Sequence, residues 1–245
     1  RIPVDLSEFE MGLEEISTRG KIGLVPTYPG WWPHTWPWFF GGSWFDGQGQ
    51  FTPNHPANIR AYEWVSSFRK RWNLEAFSKP INPIGAMDPD PFLTGGVAMV
   101  FEGDWLVRRL LLIPTLEWIP APFPTINRKP AALIVSDILS IPRGARHPEG
   151  AAAFIRFAIQ SEQIERLALG QGKISPLKHW SERYLSNHRN PHIEKLQEIL
   201  SSAQLFYDPR VPGWMNYLNR IKQAFASIWS GQQMPAEALN TIQEI

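Results

Sequence analysis

Cysteine is absent from the chain. That excludes disulfides, thiol nucleophiles and cysteine zinc sites, and it leaves the compartment open. Excess charge of either sign is lacking too, with a formal net charge of +1 at pH 7. The run Arg69-Lys70-Arg71 is too short for an electrostatic footprint, so no nucleic-acid partner is expected. Gly170-Gln171-Gly172 is not followed by the lysine of a phosphate loop. No serine stands in a G-x-S-x-G setting. No repeat or low-complexity tract occurs, and no cofactor is expected. No signal peptide is visible, but the chain begins at Arg1 rather than Met, so its true start is expected elsewhere.

What is present is ordinary in bulk and unusual in one place. The 245 residues are 43% hydrophobic and 19% charged, enough for one large soluble domain or two smaller ones. Residues 22–45, IGLVPTYPGWWPHTWPWFFGGSWF, hold five of the twelve tryptophans and no formal charge. Their prolines and glycines exclude a membrane span, because lipid does not tolerate irregular backbone. The stretch is expected to be a loop crowded with rings. One reading is core. The other is a ligand wall, since a sugar stacks its C–H face on indole while polar groups take up its hydroxyls. For a single tryptophan the core reading leads. For the cluster, one or two ligand-facing rings are expected.

Along the chain, Asp5 and Glu8 in DLSE have capping-box spacing, and Leu6, Phe9, Leu13 and Ile16 predict a helix that Gly20 ends. Ile22–Val25 reads as a short strand, and Asp46–Gly49 as a turn. Pro56 opens a helix through Ile59, Tyr62, Val65, Phe68 and Trp72. Residues 79–91 read as loop, and Val97–Phe101 as a buried strand. Glu102-Gly103-Asp104-Trp105 then falls at that strand's C-terminal end, where open α/β sheets bind ligands. Leu106–Leu112 reads as helix and Trp118–Pro124 as extended. Ala132–Ile141 reads as two short strands or one bent strand. Helices are predicted over Pro148–Ile159, over Ser161–Leu169 closed by Gly170, over 191–205, from Trp214 to Gly231, and from Pro235. The class is α/β or α+β, rich in helix.

Charged candidates carry two readings each. Glu102 and Asp104 have the residue types of a glycosidase carboxylate pair, but such residues more often bond sugar hydroxyls or cap a helix. His188 and His192 suit a metal only on a continuous helix, and Pro191 lies between them, so a solvated loop is the better reading. Arg143 and Arg146 read as surface.

FLTGGVAMVFEGDWL resembles the F-x-x-G-(K)-x-A-M-x-x-x-G-x-W segment of bacterial extracellular solute-binding proteins, which serve sugar-importing ABC transporters. APFP, ILSIPRGARHPEGAAAFIRFAIQSEQIERLALGQGKISPLK and WSGQQMPAEALNTIQE follow in the family's order, and VDLSEFEMGL resembles an earlier helix. Two positions depart from the pattern: Gly96 stands for the family's lysine, and Val135-Ser136 for a glycine pair.

The resemblance implies an α/β, two-lobed periplasmic-binding-protein-like fold of type II, with the N-terminal part of the first lobe absent from this chain. Residues 1–125 and 180–245 would form the second lobe, and 126–179 the returning part of the first. It implies an exported, non-enzymatic carrier, periplasmic or lipid-anchored, that captures a mono- or oligosaccharide in the inter-lobe cleft. Its partners would be the carbohydrate, the membrane permease subunits and the missing N-terminal segment of the same precursor. Trp105 matches the family's sugar-stacking aromatic. Tyr28, Trp31, Trp32 and Trp36 match its cleft-facing loop, and Ser136 and Asp137 its re-entry into the first lobe. Trp214 and Arg220 match a late helix that contributes to the cleft, and Glu102 and Asp104 are expected to bond hydroxyls. The alternatives are a carbohydrate-active enzyme or lectin-like module using the same aromatic loop, and a structural protein whose tryptophans are all core.

Overall fold

The computed structural model describes residues 2–3, 5–72 and 90–242. Of the loop predicted over 79–91, residues 79–89 lie outside these. Two compact units are built, one from Arg1–Glu102, Ala121–Leu133 and Ser202–Ile245, the other from Gly103–Pro120 and Ile134–Ser201.

In the first unit, helix α1 (Leu6–Thr18) starts where DLSE predicts, with the Asp5 carboxylate accepting the Glu8 N–H at 2.8 Å. Arg128 pairs with the same Asp5 at 3.0 Å. Strand β1 (Ile22–Leu24) pairs in parallel with β2 (Val97–Met99), Ile22 opposite Val97 and Leu24 opposite Met99. Between the two strands, the aromatic stretch is not loop throughout. A 3-10 turn (Pro33–Thr35) runs into α2 (Trp36–Phe39). Pro33 and Pro37 fall in first turns, where the missing N–H has no helical acceptor to lose.

Helix α3 (Pro56–Arg71) buries Ala57, Ala61, Tyr62, Val65 and Phe68 along its apolar stripe. Leu13, Phe68 and Ile221 of this unit's core are fully buried, each contributing about 1.5–3 kcal/mol. The core takes in Trp31, Trp36, Phe39, Phe40 and Trp44 as well. Most rings of the stretch therefore hold the unit together.

The second sheet differs from expectation. Only β3 (Ala131–Leu133) forms from the predicted 132–141 strands, and it pairs in parallel with β4 (Gln204–Phe206). β4 takes the tail of the helix predicted over 191–205. Among the described residues nothing pairs beyond Leu133, and a strand without a neighbour leaves its backbone groups to water. Val135, Ile138 and Leu139 are exposed there, Ile138 at 82%. Helix α9 (Trp214–Ser230) ends at Gly231, as predicted, and α10 (Pro235–Asn240) follows.

In the second unit, a 3-10 turn (Asp104–Leu106) leads into the short α4 (Val107–Leu110). Then come α5 (Pro148–Ala158), α6 (Ser161–Gln171), α7 (Glu182–Asn187) and α8 (Ile193–Ser202). α6 passes Gly170 and is closed by Gly172, whose φ of 65° suits a residue without Cβ. α7 has little apolar periodicity. Its start is set by Ser181, whose hydroxyl accepts the Tyr184 N–H at 3.0 Å. Ala168, Tyr184 and Ile193 form a small buried cluster. α5 buries no residue, and Phe154 and Phe157 are exposed. No helix of the described residues is long and apolar enough to cross a membrane.

Candidate functional site

Two of the predicted site residues, Asp104 and Asp137, converge on one loop of the second unit. The Asp104 carboxylate accepts the Ile174 N–H at 2.7 Å. Lys173, next door, pairs with Asp137 at 3.1 Å. Beneath them Tyr184 donates its hydroxyl to the Lys173 carbonyl at 2.8 Å and accepts the Ser175 N–H at 3.0 Å. Burial, and the nearby charges of Asp104 and Glu165, push the Tyr184 phenol up to about 12, against a smaller opposing pull from the Ser175 N–H. The phenol therefore stays protonated and keeps donating. Residues 172–175 are held from both sides, with Asp104 at one and Asp137 at the other.

Trp105 stands on the adjoining turn and is 44% exposed. Its ring lies back on Gly103, where an added Cβ would come within 2.1 Å of it. The missing side chain is what lets the indole rest there. Ser136 is exposed beside Asp137 in sequence. Trp105 thus leaves a half-exposed ring next to Asp104 in the chain.

The first unit carries the other candidates. Tyr28 is buried and bonds Asp90 through its hydroxyl. Trp31 is buried, stacked on the half-buried Trp32 at 5.8 Å and 20°. Trp36, at 1% exposure, packs against Phe101 and Trp64 and belongs to the core. Glu102 is half buried. Trp214 begins α9 and is buried, whereas Arg220 on the same helix is exposed, so the helix does not present both on one face.

Sequence reasoning missed two residues here. His34, 3% exposed, places Nε2 2.8 Å from Oδ1 of Asp208, across 174 positions of sequence. The His34 ring stacks against Trp32 and meets Trp38 and Trp214 edge-on. Burial alone would raise the Asp208 pKa. The bond and charge of His34, the Trp214 indole and the Lys222 charge outweigh it and hold the carboxyl below its ordinary value. No local spacing signals such a pair; only the isolated imidazole among rings hints at it.

The two histidines weighed as ligands are otherwise engaged. His188 accepts the Asn190 N–H and lies 3.2 Å from the Lys173 carbonyl, and His192 meets Trp118 edge-on. They flank α7 and α8 rather than sharing a helix. No group of three or more metal-capable side chains occurs among the described residues.

Solved structures share this fold. A protein solved with mannobiose bound, CpMnBP1, superposes with a TM-score of 0.78 at 21% identity, covering 99% of this chain and 63% of that one. The sugar-binding protein MalE from the phytopathogen Xanthomonas citri gives 0.77 at 17%, covering 99% and 62%. The maltose/maltodextrin-binding domain MalE from Bdellovibrio bacteriovorus, bound to maltotriose, gives 0.69 at 17%, covering 99% and 65%. The chain thus spans a little under two thirds of these relatives, and it has the corresponding part of the type II periplasmic-binding-protein-like fold. No curated protein sequence matches the chain. The pattern of bacterial extracellular solute-binding proteins matches residues 14–165. On that match over more than half its length, the chain belongs to the bacterial extracellular solute-binding protein family.

Proposed function

We propose that this chain is part of the substrate-binding component of an ABC importer, capturing a mono- or oligosaccharide and handing it to the permease subunits. The observation that carries the reading is Trp105: a half-exposed indole resting against Gly103, next to the anchored Asp104 carboxylate. Exposed rings backed by main chain suit sugar faces, and carboxylates suit hydroxyls. The bound sugars named for its structural relatives, mannobiose and maltotriose, agree with that chemistry.

The protein would act without catalysis, exported and either periplasmic or lipid-anchored. An enzyme reading gains nothing from the geometry, because Asp104 already accepts a backbone N–H. Residues 1–125 and 180–245 are proposed as the second lobe and 126–179 as the returning part of the first. The apolar residues left exposed in the second unit, including Ile138, Phe154 and Phe157, would be covered by an N-terminal segment of the same precursor. Of the predicted contacts, Trp105, Ser136, Asp137 and Arg220 are exposed and Trp32, Glu102 and Asp104 half-exposed, and these are proposed first.

The test is an indole-fluorescence titration of the full-length protein with mannobiose, maltose and maltotriose. A saturable change without hydrolysis is expected, weakened about tenfold or more in Trp105→Ala. Product release from any of these sugars would sink the carrier reading.

A further inference from the structure

We propose that Asp208 is a sugar-contacting carboxylate of the first unit, accepting neighbouring ligand hydroxyls beside Trp214, and that buried His34 positions it. This deepens the sugar-carrier reading and rests on it.

The geometry comes first. A carboxylate only accepts, so the proton between it and His34 sits on Nε2, and the imidazole donates to Oδ1. That fixes the carboxylate plane and uses one of its acceptor positions. The Trp214 indole also acts on the carboxylate, but a carboxylate has about four acceptor sites, and this side chain is 48% exposed. A half-exposed, ionised carboxylate with acceptor capacity left over suits adjacent hydroxyls, which give it hydrogen bonds from a neutral donor pair. His34 and Lys222 both favour its ionised form. A neutral polyhydroxyl ligand therefore fits better than a cation.

A receiving surface lies alongside. A shallow, open depression lined by Pro209, Arg210, Val211, Trp214 and Met215 begins at the residue after Asp208. Trp214 is buried, 6% exposed. It is near enough to the Asp208 carboxylate to help hold it ionised. Arg210 adds an exposed donor fork at the rim.

The bland alternative is a staple: His34 and Asp208 would only tie the 33–35 turn to the segment before α9. A staple and a ligand contact differ in how they treat sugars lacking one hydroxyl. The experiment measures affinities of the full-length wild type, Asp208→Asn, His34→Phe and His34→Gln for whichever of mannobiose, maltose and maltotriose binds, and for its monodeoxy derivatives. Asp208→Asn is expected to weaken the parent sugar at least about thirtyfold, and that penalty to shrink to about threefold or less for one or two deoxy derivatives. His34→Phe should weaken binding about tenfold, with His34→Gln, which restores an N–H donor, recovering part.

If wild type binds and Asp208→Asn matches it within about twofold, this inference fails while the carrier reading stands. An equal penalty for the parent and every deoxy derivative marks a staple and overturns it as well. If wild type answers to no sugar, the carrier reading falls and takes this one with it. Asp208→Glu, which keeps the charge but displaces the oxygens, serves if the asparagine variant does not fold, with the same selective loss expected.

Discussion

The indole of Trp105 lies on Gly103, so close that any side chain at 103 would overlap its ring. Gly103→Ala should therefore lift or rotate the indole with no change to the indole itself. Sugar affinity is expected to fall about as far as in Trp105→Ala, roughly tenfold, or about 1.4 kcal/mol. Trp105 emission should shift in the unliganded protein. Unchanged affinity with unchanged emission would mean that the ring's seat on Gly103 is incidental.

Tyr184 holds residues 173–175 through both functions of its hydroxyl. Tyr184→Phe leaves the Ser175 N–H and the Lys173 carbonyl without that partner, at a cost of about 1–3 kcal/mol. Urea unfolding should register it, and a variant as stable as wild type would refute it. The pH dependence follows from the raised phenol pKa of about 12. The unfolded chain ionises near the ordinary tyrosine value of about 10, so it loses the proton first. The stabilisation is full below that value and is lost as pH rises toward the folded pKa. Alkaline melting curves of wild type should fall through this window, and those of Tyr184→Phe should fall less steeply.

Asp208 gives the opposite sign. Its folded pKa lies below the ordinary carboxylate value, so its contribution is present above the unfolded pKa and is lost as pH falls through the folded one. Asp208→Asn should flatten the acid limb of the melting temperature against pH. His34→Phe removes the largest of the lowering influences, leaving only the Trp214 indole and Lys222 to oppose burial, so the carboxyl should lie higher than in wild type. Its acid limb should move to higher pH than that of wild type. An acid limb unmoved in both variants would count against the pairing.

How much of this was legible depended on whether the signal was local. The α1 cap at Asp5, the α3 stripe and the stop at Gly231 are written within a few residues each, and the chain folds accordingly. The strands over 132–141 were not obtained, because a strand depends on a neighbour and Ile138 has none among the described residues. α7 hides for another reason: its start is set by the Ser181 cap, not by periodicity. At the candidate site, the resemblance of Gly103-Asp104-Trp105 to the family's G-x-W segment singled out Trp105. His34 and Asp208 stayed silent, since only the folded chain brings positions 174 apart into contact. Nor could spacing tell a core tryptophan from a surface one within the aromatic stretch.

That last distinction can be measured. Trp36 is 1% exposed and meets Phe39, Trp64 and Phe101. Trp105, by contrast, is 44% exposed. Trp36→Ala opens a cavity in a packed core and should cost about 3–5 kcal/mol of stability. Trp105→Ala removes a half-solvated ring and should cost well under that, about 1 kcal/mol or less. The binding effects should run the other way, with Trp105→Ala losing sugar and a folded Trp36→Phe retaining it. Chemical denaturation and titration of the two variants side by side decide the matter. If Trp36→Phe weakens sugar binding as much as Trp105→Ala while remaining as stable as wild type, Trp36 reaches the ligand and its assignment to the core is wrong.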